Sequence, residues 1–196
     1  MIEYLTANWL EILGTLTGIL YLYWEYQADV KVWIAGIIMP AISIVVYFEA
    51  GLYADFGINI YYLLAAIYGW CVWKFARGRK TQAELPITHT PRQLYLWLAV
   101  VFAISFVVIG EVLVRFTNSD VPWWDSFTTA LSIVGMWMLA RKFVEQWIAW
   151  IAVDAVCTGL YIYKEIYFYA ALYALYTFIA VLGYRKWQHL MHASKQ

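Results

Sequence analysis

Residues 145–159 read EQWIAWIAVDAVCTG, and three side chains of that stretch are spaced to do chemistry together: Trp147, Trp150 and Asp154. They stand at i, i+3 and i+7, hence on one face of a helix. Two indoles beside a carboxylate make a cradle for a flat, positively charged ring. The indoles supply stacking and cation–π attraction, and the acid supplies charge or a hydrogen-bond acceptor. Tyr169, Tyr173 and Tyr176 recur at i, i+4 and i+7 in a later apolar run, placed to form an opposite wall. Glu11 lies inside the first apolar run and Asn59 is an uncharged polar neighbour by depth, so both join the candidate site.

An ionised side chain near a bilayer centre costs at least about 2.5–3.5 kcal/mol, so an acid there is rarely idle. No lysine or arginine occupies the middle of an apolar run. The buried acids must therefore be protonated, hydrated or paired with a cation that the sequence does not contain. Structural readings compete at each position. Trp147, beside the basic Arg141–Lys142 edge, suits an interfacial anchor as well as a ligand contact, and the tyrosine stripe suits helix packing as well as a pocket wall. Trp123, Trp124, Trp187, Trp70 and Trp73 are expected in the interfacial belts. Gly14 and Gly18, in GTLTG, are expected to let helices pack closely.

Little points to an enzyme. His189 and His192 stand at i, i+3 near the C-terminus and His89 lies in a polar stretch, none in a metal or triad pattern. There is no phosphate loop and no activated nucleophile, and neither a metal nor a cofactor is expected. Cys71 and Cys157 sit in apolar runs without CxxC spacing, as small buried fillers. A retinal photoreceptor would need a lysine inside its last helix, where only Lys186 stands, at the end.

The elements that must position these residues cross a bilayer. The 196-residue chain is 64% hydrophobic, 20% aromatic and only 13% charged, against about a quarter charged in a soluble domain. Spans of about 20 apolar residues fall at approximately 8–26, 32–53, 55–76, 93–115, 122–140, 144–162 and 166–187. Seven crossings place eleven basic residues on one face, from Lys31 and Lys74 to Lys186 and Lys195, and only Arg115 and Lys164 on the other. The C-terminus is then cytoplasmic and the N-terminus outside. With Lys+Arg and Asp+Glu both 13, no nucleic-acid partner is indicated.

Slid against itself by 114 residues, the chain matches without a gap. Trp9 falls on Trp123, Glu11 on Asp125, Trp33-Ile34-Ala35 on Trp147-Ile148-Ala149, Tyr62 on Tyr176, and Gly69 and Trp73 on Gly183 and Trp187. This predicts a three-helix repeat. An odd-numbered unit needs one intervening helix to face the same way twice, giving 3+1+3 with parallel repeats and a midplane site. The expected organisation is a first bundle 1–76, a cytoplasmic linker 77–92, a connecting helix 93–115, a second bundle 122–187 and a tail 188–196. The linker, with Pro86 and Pro91, is expected to be extended and solvated. Pro40, the counterpart of Asp154, is expected to break the second helix.

Four stretches carry a resemblance: WLEILGTLTG, LYADFGINIYYLLAAIYGWCVW, WDSFTTALSIVGMWMLARKFVEQWIAWIAVD and YTFIAVLGYRKW. With them the chain resembles the PnuC family of bacterial vitamin transporters along essentially its whole length. The resemblance implies an all-α membrane fold similar to SWEET proteins, a homotrimer in the inner membrane, and facilitated diffusion with trapping by intracellular phosphorylation. It also carries the family's W-x-x-W onto Trp147 and Trp150 and its midplane polar position onto Asp154. Members that carry nicotinamide riboside tend to present amides where this chain has Asp154, Asn59 and Ala66. A carboxylate accepts well from the aminopyrimidine of thiamine, whereas a carboxamide suits an amide partner. The expected substrate is therefore thiamine, most like the family's PnuT branch, with nicotinamide riboside as the alternative. From another class, a vitamin sensor that binds without transport is the competing reading.

Overall fold

The computed structural model describes residues 9–49, 53–75 and 85–193, with the side chains of 9–16, 47 and 53–55 outside the description. Among these residues run seven helices: α1 (Trp9–Tyr26), α2 (Val32–Glu49), α3 (Tyr53–Phe75), α4 (Arg92–Phe116), α5 (Pro122–Ala140), α6 (Gln146–Tyr163) and α7 (Tyr167–Ala193). Each begins and ends within a few residues of an expected span, except that α7 runs on to Ala193, so that most of the expected tail is helical. Phe56–Phe75 of α3, all of α4 and all of α7 are long and apolar enough to cross a membrane, and Val32–Val46 is a shorter apolar stretch. Their flanks suit lipid: Leu96, Trp97, Ile104 and Val108 of α4, and Phe168 and Phe178 of α7, are each more than half exposed. Water would penalise such surface by about 25 cal/mol per Å².

Pro40 lies inside α2, which continues unbroken from Val32 to Glu49, so the expected break is absent. Membrane helices tolerate proline where their surroundings accommodate the freed carbonyl. Gly18 does not serve as a packing seam either, since a Cβ added there would meet nothing within 4 Å. Gly14 lies outside the described side chains.

The chain divides into two compact units, residues 1–85 and 86–196. In the first, α2 packs on α1 and α3; in the second, α4 packs on α5, α5 on α6 and α6 on α7. The helix expected as the connector packs within the second unit. Leu94, Leu98 and Phe102 of α4 pack on buried Val134, Met138 and Phe143. The buried hydroxyl of Ser126 donates to the Phe106 carbonyl, tying α5 to α4.

Both units are locked by a tryptophan, and here the belt expectation fails for two residues. Trp33 is fully buried, its indole lies where a Cβ on Gly69 would be, and it meets Trp73 edge-on with centroids 5.4 Å apart at 89°. In the second unit Trp147, 1% exposed, fills the space above Gly183 and meets Trp187 edge-on at 5.8 Å and 87°. Trp73 and Trp187 are thus core residues, because a glycine on the neighbouring turn admits a ring to the helix backbone. Trp123 and Trp124 stay 43% and 55% exposed at the start of α5. The turns that lead into α2 and α6 are also alike: Ala28 and Lys142, 114 residues apart, have φ of 55° and 53°.

The described part of the linker segment, 85–92, is extended with Pro86, Thr88, His89 and Pro91 exposed, and it is also pinned to the fold by its backbone. The Thr88 amide donates to the Lys142 carbonyl (3.1 Å) and the Val144 amide to the Thr88 carbonyl (3.0 Å), a short parallel bridge onto the α5–α6 turn. Glu145 then leaves its own helix N-terminus uncapped and reaches the strap. Its Oε2 accepts from the Thr90 amide and hydroxyl, both at 2.8 Å, and its Oε1 lies 2.6 Å from His89 Nδ1. Partial burial raises the Glu145 carboxyl, but the bonds from His89 and Thr90 together outweigh it and hold the group below its usual range.

A group lowered in the folded state stabilises above its unfolded pKa and loses that contribution as pH falls through the folded value. Strap docking should therefore be constant through the neutral range and fail only below the ordinary glutamate range. Glu145→Ala should loosen it at neutral pH, by about 1–3 kcal/mol of local opening, and make little difference once the acid is protonated. Hydrogen exchange at the Thr88, Thr90 and Val144 amides checks both outcomes.

Candidate functional site

Helix α6 sits between α5 and α7, and its candidate face is divided between them. Trp147 turns to α7, where Gly183 and Trp187 enclose its indole. Trp150 turns to α5, and a Cβ on Gly135 would stand 3.6 Å from its ring. The two indoles therefore do not form one cradle. Trp147 locks α6 onto α7, and Trp150, half-buried, is the ring left one turn before Asp154.

Asp154 is half-buried in the middle of α6. Its backbone carbonyl accepts from Thr158 Oγ1 at 2.8 Å, and among the described residues its carboxylate has no ion-pair partner. Tyr173 and Tyr176 of α7 lie within electrostatic reach of it. The tyrosine stripe is real and gains a member: Tyr161 of α6 stacks between Tyr169 (5.3 Å, 25°) and Tyr173 (5.2 Å, 26°), and Tyr173 meets Tyr176 edge-on at 5.6 Å. The candidate residues that the second unit groups together are thus Trp150, Asp154, Tyr161, Tyr173 and Tyr176, while Tyr169 is 48% exposed. Tyr161 was legible as the fourth turn of the same α6 face.

Two further acids on the second unit's helices have partners. Glu111 pairs with Arg115 one turn on at 2.7 Å, and Ser119 Oγ donates to Asp125 at 2.6 Å. Beyond the helix ends, Lys164 lies 3.0 Å from Asp120, and that bond lowers the Asp120 carboxyl and raises the Lys164 ammonium. Of the acids in the second unit's helices, this leaves Asp154 as the one without a bonding group from the protein among the described residues.

In the first unit, Asn59 is half-buried on α3 and the Glu11 side chain lies outside the described residues. An acid that the sequence reading passed over is Glu25, only 2% exposed near the end of α1. Tyr21, one turn earlier, lies within reach of both Glu25 and Tyr62. Its position among Tyr, Trp and Gln at a helix end gave it the look of an interfacial residue.

A second residue passed over is Gln146, the first of α6. It is fully buried, and neither its Nε2 nor its Oε1 has a hydrogen-bond partner among the described residues. The indole N–H groups of Trp147 and Trp150 are also buried without one. Leaving a buried donor or acceptor unmet costs about 1–3 kcal/mol, so such a group calls for an explanation. Among the described residues no group of His, Cys, Asp and Glu is arranged to hold a metal.

Fold and site together define a polytopic helical membrane protein with a tyrosine-lined acid inside one of its helix bundles. The chain belongs to the nicotinamide mononucleotide transporter family, whose model matches residues 8–189. It is 28% identical over 204 residues to the nicotinamide riboside transporter PnuC of Escherichia coli, covering 92% of this chain and 85% of that protein. The nicotinamide riboside transporter PnuC of Neisseria mucosa is 24% identical, over 94% of this chain and 73% of its own. The riboflavin/roseoflavin transporter RibM of Streptomyces davaonensis is 22% identical, over 91% and 84%. The crystal structure of the vitamin B3 transporter PnuC shares the fold, with a TM-score of 0.72 over 97% of this chain and 85% of that one at 21% identity.

Proposed function

We propose that this chain is an inner-membrane facilitator for a small vitamin carrying one cationic ring, with nicotinamide riboside as the first substrate to test. The observation that carries the reading is the Asp154 carboxylate, set among tyrosines beside Trp150 without a cation from the described residues. A ring with a positive charge supplies what that site lacks. The names of the PnuC relatives move nicotinamide riboside ahead of the thiamine expected from sequence.

Thiamine is the second reading, favoured by one residue: Asp154 offers a carboxylate where an amide would better suit a carboxamide. Riboflavin, uncharged and larger, gains little from an intramembrane acid. In the same proposal Trp150, Asp154, Tyr173 and Tyr176 contact the substrate, Trp147 holds α6 in place, and Asn59, Glu11 and Tyr169 contribute at the margins. Two parallel three-helix units in a SWEET-like arrangement, alternating access without ATP or a coupling ion, and trapping by phosphorylation complete it, along with a homotrimeric assembly. The termini lie outside (N) and in the cytoplasm (C). The shared local features at Ala28/Lys142, Trp33/Trp147 and Gly69/Gly183 support the repeat. Calorimetric titration of the purified protein with nicotinamide riboside, thiamine and riboflavin tests the reading. Binding of one cationic vitamin supports it, and binding of riboflavin alone overturns it.

A further inference from the structure

We infer that Gln146 is a specificity-determining contact for the substrate, reading a neighbouring donor and acceptor on the vitamin's ring edge. The inference rests on the transport reading above and deepens it. Gln146 is fully buried, its amide nitrogen and oxygen both lack partners among the described residues, and it stands one turn before Trp150 and two before Asp154. Residues at i, i+4 and i+8 share one side of a helix, and the rise puts them about 6 and 12 Å from Gln146 along the axis. Along that row the side chains offer an amide, an indole and a carboxylate. A single small vitamin spans such a row.

An amide group is a donor and an acceptor held in one plane. It meets in two parallel hydrogen bonds any ligand edge with the complementary pair. The primary carboxamide of nicotinamide riboside has one, its NH₂ donating to Oε1 and its carbonyl accepting from Nε2. The aminopyrimidine of thiamine has the same pair in its exocyclic amine and adjacent ring nitrogen. The shared chemistry, not one vitamin, is what Gln146 selects. A carboxylate in place of the carboxamide offers no donor and faces Oε1 with negative charge.

The test uses the full-length protein in detergent, wild type and Gln146→Met, which keeps the length of the side chain and removes the amide. Affinities are measured for nicotinamide riboside against nicotinic acid riboside, and for thiamine against an analogue whose pyrimidine amine is replaced by hydrogen. The arm in which the wild type binds identifies the source of the edge. The expected result is a preference for the amine-bearing member that falls by about tenfold or more in Gln146→Met, a loss of two hydrogen bonds. Its thermal stability should be equal or higher, because the variant buries no unmet amide. An unchanged preference overturns the inference and leaves the transport reading standing. A preference lost together with a lower melting temperature also overturns it, because the protein itself then needs the amide. A wild type that binds neither vitamin removes both.

Discussion

Asp154→Asn should weaken binding of thiamine by about 10- to 100-fold, the worth of about 1.5–3 kcal/mol for a charge-assisted contact. The same substitution should leave the melting temperature unchanged or raise it. The carboxylate makes no ion pair among the described residues, and an amide is cheaper than a charge to hold inside a membrane. This opposite movement of affinity and stability separates a ligand-binding acid from a structural one. Trp124→Phe is the control, since that ring is 55% exposed at the start of α5 and should move neither quantity. Titration and thermal melting of the three proteins check the outcome. An Asp154→Asn variant that is unstable and binds normally would assign the acid to the fold.

The second large effect falls on a single methyl group. Gly183→Ala places a Cβ 2.6 Å from the Trp147 indole, which is buried and braced by Trp187. The ring is rigid and has nowhere to go, so overpacking should cost about 1–3 kcal/mol. Gly159→Ala is the matched comparison: a Cβ there meets nothing within 4 Å, and alanine should stabilise a helix by up to about 1 kcal/mol over glycine. The two substitutions are chemically identical and should shift the melting temperature in opposite directions. Trp147→Phe should rescue part of the Gly183→Ala loss, because the two residues share one space and their effects cannot add. Equal shifts from both glycines would mean that Trp147 is not seated on Gly183.

The helices were legible because a bilayer demands runs of about 20 apolar residues, and α1 to α7 fall on those runs. The division of the tryptophans was not. A ring facing lipid and a ring facing a glycine read identically in one apolar run; only the pairing of Trp33 with Gly69 and Trp147 with Gly183 at the same spacing distinguishes them. The strap was legible only in part. Its prolines and Thr88 are exposed, as their types suggest, but the bonds from the Thr88 backbone to the α5–α6 turn leave no mark in one sequence. Asp154 and the tyrosines were visible as polarity in an apolar context, and the structure brings Tyr173 and Tyr176 within reach of the acid. Gln146 and Glu25 sit at helix ends, where polarity is ordinary, and only burial sets them apart.

Uptake into proteoliposomes tests the central claim most directly: vesicles loaded with neither ATP nor an ion gradient are given labelled nicotinamide riboside or thiamine. Saturable entry that stops at equal concentrations inside and out, and that is slowed by Asp154→Asn, is the predicted result. Binding without entry would make the protein a sensor, and entry that begins only when an ion gradient is imposed would require a coupled ion; either contradicts facilitated diffusion.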